Sequence, residues 1–208
     1  RQRQMCIRDR ESMGCFAKQE MNLGTIQDSI FTTQMWNETG AQNEDIIERK
    51  VQFPDTNLQM IYSGPHIGVA TPLFKTPRAK CVLKSDYDSI DLTSIPDIYL
   101  SRSIYVPVMS SDEYAQRAPV TPWGSYIESY KLLTRRMLNQ SGERTLVPTI
   151  GIPGSGHIHT VFGLAFKDNK DLITAAGLMA SVVYDGYIKI TGRSDVYFET
   201  LSLSLIHI

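Results

Sequence analysis

Arg144-Thr145-Leu146-Val147-Pro148-Thr149-Ile150-Gly151-Ile152, then Pro153-Gly154-Ser155-Gly156, then Ile158-His159-Thr160-Val161-Phe162-Gly163-Leu164-Ala165-Phe166 is the stretch on which the fold turns. Two β-prone runs flank a cluster of turn residues, a pattern that predicts a hairpin with a short loop. Asp168 or Asn169 then caps a helix from about Lys170 to about Ile190, and Gly192 suits its stop. That helix (Leu172, Ile173, Ala175, Ala176, Leu178, Met179, Val182, Val183) is apolar nearly all round, as expected of a helix packed on two sides. The sum is an α+β fold: a mixed, mainly antiparallel sheet with a buried C-terminal helix.

Upstream, Tyr126 to Leu138 reads as a helix with Ile127, Tyr130, Leu133 and Met137 on one face. Lys131, Arg135 and Arg136 lie largely off that face and towards its C-terminal end, where the helix dipole favours cations. Gly142 suits the stop. Thr25 to Thr33 is mixed, ending in the β-prone Phe31-Thr32-Thr33. Ile46 to Phe53 reads as an edge-type strand. Leu58 to Tyr62 is a second strand, stopped by Ser63-Gly64-Pro65, and His66 to Ala70 a third. Pro72 to Pro77 is bracketed by prolines and read as a loop, because Pro fixes φ and removes a donor. Tyr87 to Leu92 reads as a strand. Pro96, Pro107, Pro119 and Pro122 punctuate an irregular middle, which a short helix from Ser111 to Arg117 interrupts with Ser111 as its cap.

With 208 residues, 42% of them apolar, the chain has the bulk for one domain and its core. The first ten residues, Arg-Gln-Arg-Gln-Met-Cys-Ile-Arg-Asp-Arg, fit no period and look like translated sequencing adapter, as does Leu203-Ser204-Leu205-Ile206-His207-Ile208. On that reading residues 11–202 form the domain. Without the first ten residues the formal net charge moves from −1 to −4, so a nucleic-acid partner requires a local patch. Lys131 to Arg193 holds eight Lys or Arg against four acids, whereas Glu11 to Tyr130 holds nine against fifteen. Cys6, Cys15 and Cys81 form no CxxC, which suits a reducing cytoplasm without disulfides or a zinc knuckle. Leu172 to Ile190 is broken by Asp185 and Lys189, so no membrane span is expected.

Several chemistries are poorly matched. Gly151 to Gly156 has the spacing of a phosphate loop, but His157 stands where the phosphate-gripping Lys belongs. His157 and His159 share a strand face without a third metal ligand in sequence reach. Glu48-Arg49-Lys50 supplies an E-x-K without the preceding Pro-Asp of a Mg²⁺-dependent nuclease. No G-x-S-x-G elbow argues for a hydrolase. The cations are better candidates. Lys75 and Arg78 lie on the Pro-stiffened loop, which loses little entropy on docking. Arg144 is either half of an ion pair or a bidentate contact to guanine or phosphate. Lys189 and Arg193, at the helix exit, either offset the dipole or meet DNA. Trp36 is expected in the core.

Several blocks, taken in order, resemble the target-recognition region of TaqI-like and type IIG-like adenine-specific DNA methyltransferases of restriction-modification and phage-defence systems. They are Met35-Trp36-Asn37-Glu38-Thr39-Gly40-Ala41; Ser63-Gly64-Pro65-His66 with Lys75-Thr76-Pro77-Arg78; Asp91-Leu92-Thr93-Ser94-Ile95-Pro96-Asp97; Gly142-Glu143-Arg144-Thr145-Leu146; His157 to Phe166; and Thr191-Gly192-Arg193-Ser194-Asp195. The resemblance implies sequence-specific recognition of double-stranded DNA. It further implies a methyltransferase domain on the N-terminal side that transfers a methyl group from S-adenosylmethionine to adenine N6, in the cytoplasm of a bacterium or archaeon. The chain has no Pro-Pro for the family's catalytic motif, so no catalytic, cofactor or metal residue is expected here. The expected DNA contacts are Lys75, Arg78, Arg135, Arg136, Arg144, Lys189 and Arg193. The alternative is a protein-interaction module of a defence complex, suggested by near-neutral charge and the Tyr and Ile residues between 87 and 130.

Overall fold

Val161–Phe166 is buried along its whole length, between Ile30–Thr33 on one side and Lys131–Arg135 on the other, both antiparallel to it. Pro148–Gly151 pairs with the far side of Lys131–Arg135 and completes a four-stranded sheet. The computed structural model describes residues 22–83 and 85–202. The adapter-like runs 1–10 and 203–208 lie outside the described residues. The α+β class and the mainly antiparallel pairing are as the sequence led us to expect.

The helix expected over Tyr126–Leu138 is instead the central strand Lys131–Arg135, reached through turns around Tyr126. Two of its four supposed core residues are exposed, Tyr130 at 49% and Met137 at 64%. The true arrangement is an alternation: Leu132 packs with the helices on one face of the sheet, and Leu133 with Met60, Tyr62 and Ile67 on the other. A strand covered on both faces loses the polar alternation that marks a half-buried strand. Leu132 and Leu133 are both fully buried, so truncating either to Ala is expected to cost about 2–5 kcal/mol.

The expected hairpin is also corrected. Pro148–Gly151 and Val161–Phe166 both pair antiparallel with Lys131–Arg135, so they run parallel to each other. Parallel strands cannot be joined by a tight turn. Residues 152–160 therefore cross one face of the sheet, and on the way Gly156–His157 pairs parallel with Ile61–Tyr62. Gly154, at φ +87, makes the bend and donates its N–H to the Ile127 carbonyl at 2.7 Å.

The long C-terminal helix is two helices, Asn169–Ala180 and Val182–Thr191. Asp168 caps the first. Ser181 ends it and caps the second, its hydroxyl accepting from Tyr184 N at 3.2 Å. Gly192 closes the pair in the left-handed region, as expected. One side packs on the sheet through Leu172, Met179, Tyr184 and Ile188, while Ile173, Val182, Val183 and Ile190 are exposed. The pair is therefore buried on one side only.

A second layer carries the rest. Ile47–Gln52 lies within the expected edge strand and pairs with Ser103–Pro107, a strand that the prolines of the middle concealed. Trp36 joins their core, its indole N–H donating to the Tyr114 hydroxyl at 2.8 Å. The helix Ser111–Arg117 has the expected bounds, but Ser110 is its cap, in a capping box with Glu113. Of the segment read as strand over Leu58–Tyr62, Asn57–Gln59 is a 3-10 turn and Ile61–Tyr62 is strand. His66–Ala70 is not a strand, since Gly64–His66 is a 3-10 turn. The loop read from Pro72 to Pro77 ends in a strand, Lys75–Pro77, paired with Tyr87–Ser89.

Candidate nucleic-acid interface

The Ser63-Gly64-Pro65-His66 turn is fixed from within. His66 is fully buried, and its Nδ1 accepts from the Ser63 backbone N–H at 2.9 Å. That bond leaves the ring proton on Nε2, which donates to the Arg102 carbonyl at 2.8 Å. Burial lowers the imidazole pKa to about 4, so the ring is neutral near neutral pH. The His66 carbonyl then accepts from Phe74 N at 2.9 Å, which ties the basic segment to this turn.

Between them lies a groove of about 330 Å³ lined by Gly64, Pro65, Phe74, Lys75, Arg135, Met137 and Thr160. Phe74 is 40% exposed. Lys75 Nζ stands 5.4 Å from the centre of its ring and Arg135 Cζ 5.3 Å. Both distances suit cation–π attraction. Arg135 Nε and Nη2 donate to the Ile67 carbonyl at 2.8 and 2.5 Å, which fixes the guanidinium plane. Further donors remain on Nη1. Among the described residues, no acidic side chain lines this groove.

The other expected contacts are placed differently. Arg78 is paired with Asp88 at 2.8 Å, both side chains well exposed, and the hydrogen bond and charge of Asp88 raise its pKa. Arg136 stands beside the groove, where its backbone N–H donates to the Thr160 carbonyl at 3.0 Å, but its guanidinium faces Asp195 at 3.4 Å. Arg144 meets the buried Asp185 at 3.5 Å and donates to the Ala180 and Ser181 carbonyls at 2.8 and 3.3 Å. It thereby offsets the negative end of the Asn169–Ala180 helix. Of the two readings of Arg144, the ion pair is the one that the structure shows. Lys189 donates to the Gly142 carbonyl at 3.0 Å. Arg193 is exposed, and its backbone carbonyl accepts from Gln140 at 2.6 Å. The structure thus joins Lys75 and Arg135 in one lining, gathers Arg144, Lys189 and Arg193 around residues 139–145, and leaves Arg78 on the outer ribbon.

Phe74 and Met137 were not singled out from the sequence. An aromatic between Pro72 and Lys75 was a usable signal for Phe74. Met137 was concealed by the mistaken helix, which placed it in the core.

The glycines of the turn from Gly151 to Gly156 are required by close packing. A side chain at Gly151 would strike Leu133, one at Gly154 would strike Asn57, and one at Gly156 would strike Tyr114. Behind it Lys131 is fully buried, its Nζ donating to the Ile127 and Ser155 carbonyls at 3.1 and 2.6 Å. Burial lowers its pKa to about 7. His157 is buried too, with Nε2 2.8 Å from the Tyr126 hydroxyl. The turn serves packing.

No family model matches the chain, and no curated protein matches it. None of the described helices is long and apolar enough to cross a membrane.

Proposed function

We propose that this chain recognises duplex DNA and directs an adenine-specific, S-adenosylmethionine-dependent methyltransferase domain on its N-terminal side. One observation carries the reading: the groove sets Lys75 and Arg135 beside an exposed ring with no acid in its lining. Cations without a carboxylate partner are free to meet an external anion, and phosphate contacts fix a protein's register on a duplex. The ordered sequence blocks add the specific substrate, adenine in a defined site. Arg136 stands beside this surface as a weaker candidate, its guanidinium facing Asp195. Lys75 is the residue to test first.

Fluorescence anisotropy with a random-sequence duplex tests the reading. Binding at low salt that weakens steeply as salt rises is expected, because each neutralised phosphate releases counterions. No binding at low salt would sink it. A second reading, a protein-interaction module, is favoured by the exposed Ile173, Val182, Val183 and Ile190 on the outer side of the helix pair. DNA affinity indifferent to Lys75→Glu would move the balance towards that reading.

A further inference from the structure

Two apolar side chains stand partly exposed at the mouth of the cationic groove. Met137 is 64% exposed and Phe74 40%. Neither sits on a loose segment. Phe74 is pinned through its N–H to the His66 carbonyl at 2.9 Å and through its own carbonyl by Ile90 N at 3.2 Å. Behind it, Gly68 lies so close that a Cβ there would stand 2.9 Å from the Phe74 Cβ. The glycine lets the ring be braced from the back. Met137 forms a bridge with Asp195, and the bond from Val196 N to the Arg136 carbonyl, at 2.7 Å, reinforces it. Rigid, exposed and apolar is an unfavourable combination in water, and here it adjoins two cations in a groove whose lining holds no acid.

We infer that Phe74 and Met137 form an apolar wedge that enters the base stack of a duplex, with Lys75 and Arg135 holding the adjoining phosphates. The inference rests on the DNA reading above and adds to it the manner of recognition: the sequence is sensed partly through how readily a base step opens. Phe and Met are among the side chains that unstack base steps, an exchange in which the cost of unstacking is offset by the contacts that bent DNA makes. The ring also favours insertion over capture of a single strand. Lys75 and Arg135 already sit over it, so its face is less available to stack on a loose base.

The test uses the full 208-residue chain and three probes: a random-sequence duplex, the same duplex with one abasic site, and the single strand. A wedge binds the abasic duplex about tenfold more tightly than the intact one, because part of the unstacking cost of a few kcal/mol per step is already met. Met137→Gln and the double variant Phe74→Ala/Met137→Ala should bring that ratio close to one and leave the salt dependence of binding unchanged. Equal affinity of the unaltered protein for the two duplexes would overturn the wedge and leave the DNA reading standing. So would a preference that survives in the double variant, or tightest binding to the single strand. No binding to any of the three at low salt would overturn both.

Discussion

Lys75 and Arg135 on one side, and Arg144 and Lys189 on the other, are the same kinds of side chain put to different uses. The second pair closes a corner of the fold. Arg144 joins Asp185 and two helix-terminal carbonyls, and Lys189 takes the Gly142 carbonyl. Asp185 in turn accepts from Thr145 N and Leu146 N at 2.9 and 2.7 Å, so one buried carboxylate organises the corner. The first pair stands over an aromatic ring in a groove without acids. A cation's neighbours, more than its place in a basic stretch, decide whether its charge is available to a partner.

The largest effect should come from breaking the corner. Asp185→Ala removes the acceptor of two backbone N–H groups and leaves Arg144 without its carboxylate, a loss of about 3–5 kcal/mol in urea unfolding. An unchanged midpoint would show that the corner is not structural.

A smaller effect, on the order of 3 kcal/mol for His66, concerns pH. His66 titrates at about 4 when folded and at its ordinary 6.5 when unfolded. In that interval the unfolded chain binds the proton more tightly, so stability is full above about 6.5 and is lost as pH falls through about 4. Lys131, lowered from 10.5 to about 7, has the same sign, and stability rises from pH 7 towards 10. The neutral amine still has two protons for its two carbonyls, and burial disfavours the ammonium. Chemical unfolding across pH should show both rises, and Lys131→Met should abolish the upper one.

Much of this contrast was beyond the sequence. Isolated helix signals were legible: the bounds Ser111–Arg117, Asp168 as a cap and Gly192 as a stop all rest on local sequence, although the cap of the first is Ser110 and not Ser111. The edge strand Ile47–Gln52 was legible because its charged run Glu48-Arg49-Lys50 meets water between the buried Ile47 and the half-buried Val51. Lys131–Arg135 was not, because neighbours cover both of its faces and the remaining spacing imitates a helix turn. From that error followed the false hairpin, since the strand that separates Pro148–Gly151 from Val161–Phe166 had been read as a helix. Of the site, Lys75 and Arg135 were named. Their convergence depends on contacts across the fold, between Arg135 and Ile67 and between Phe74 and His66, that no local pattern encodes.

The smallest effects lie at the surface. Lys75→Ala should leave the unfolding midpoint within about 0.5 kcal/mol of the original while weakening DNA binding. Arg78→Ala, which opens a fully exposed pair with Asp88, should leave the unfolding midpoint unchanged, as seen by circular dichroism.

The most direct measurement is the slope of log affinity for duplex DNA against log salt in Lys75→Ala and Lys189→Ala. Losing a phosphate contact should reduce the slope by about one in Lys75→Ala. Lys189 lies outside the groove lining and holds the Gly142 carbonyl, so Lys189→Ala should keep the original slope. Equal slopes in both variants, or a parent protein whose affinity ignores salt, would contradict the assignment of the groove to DNA.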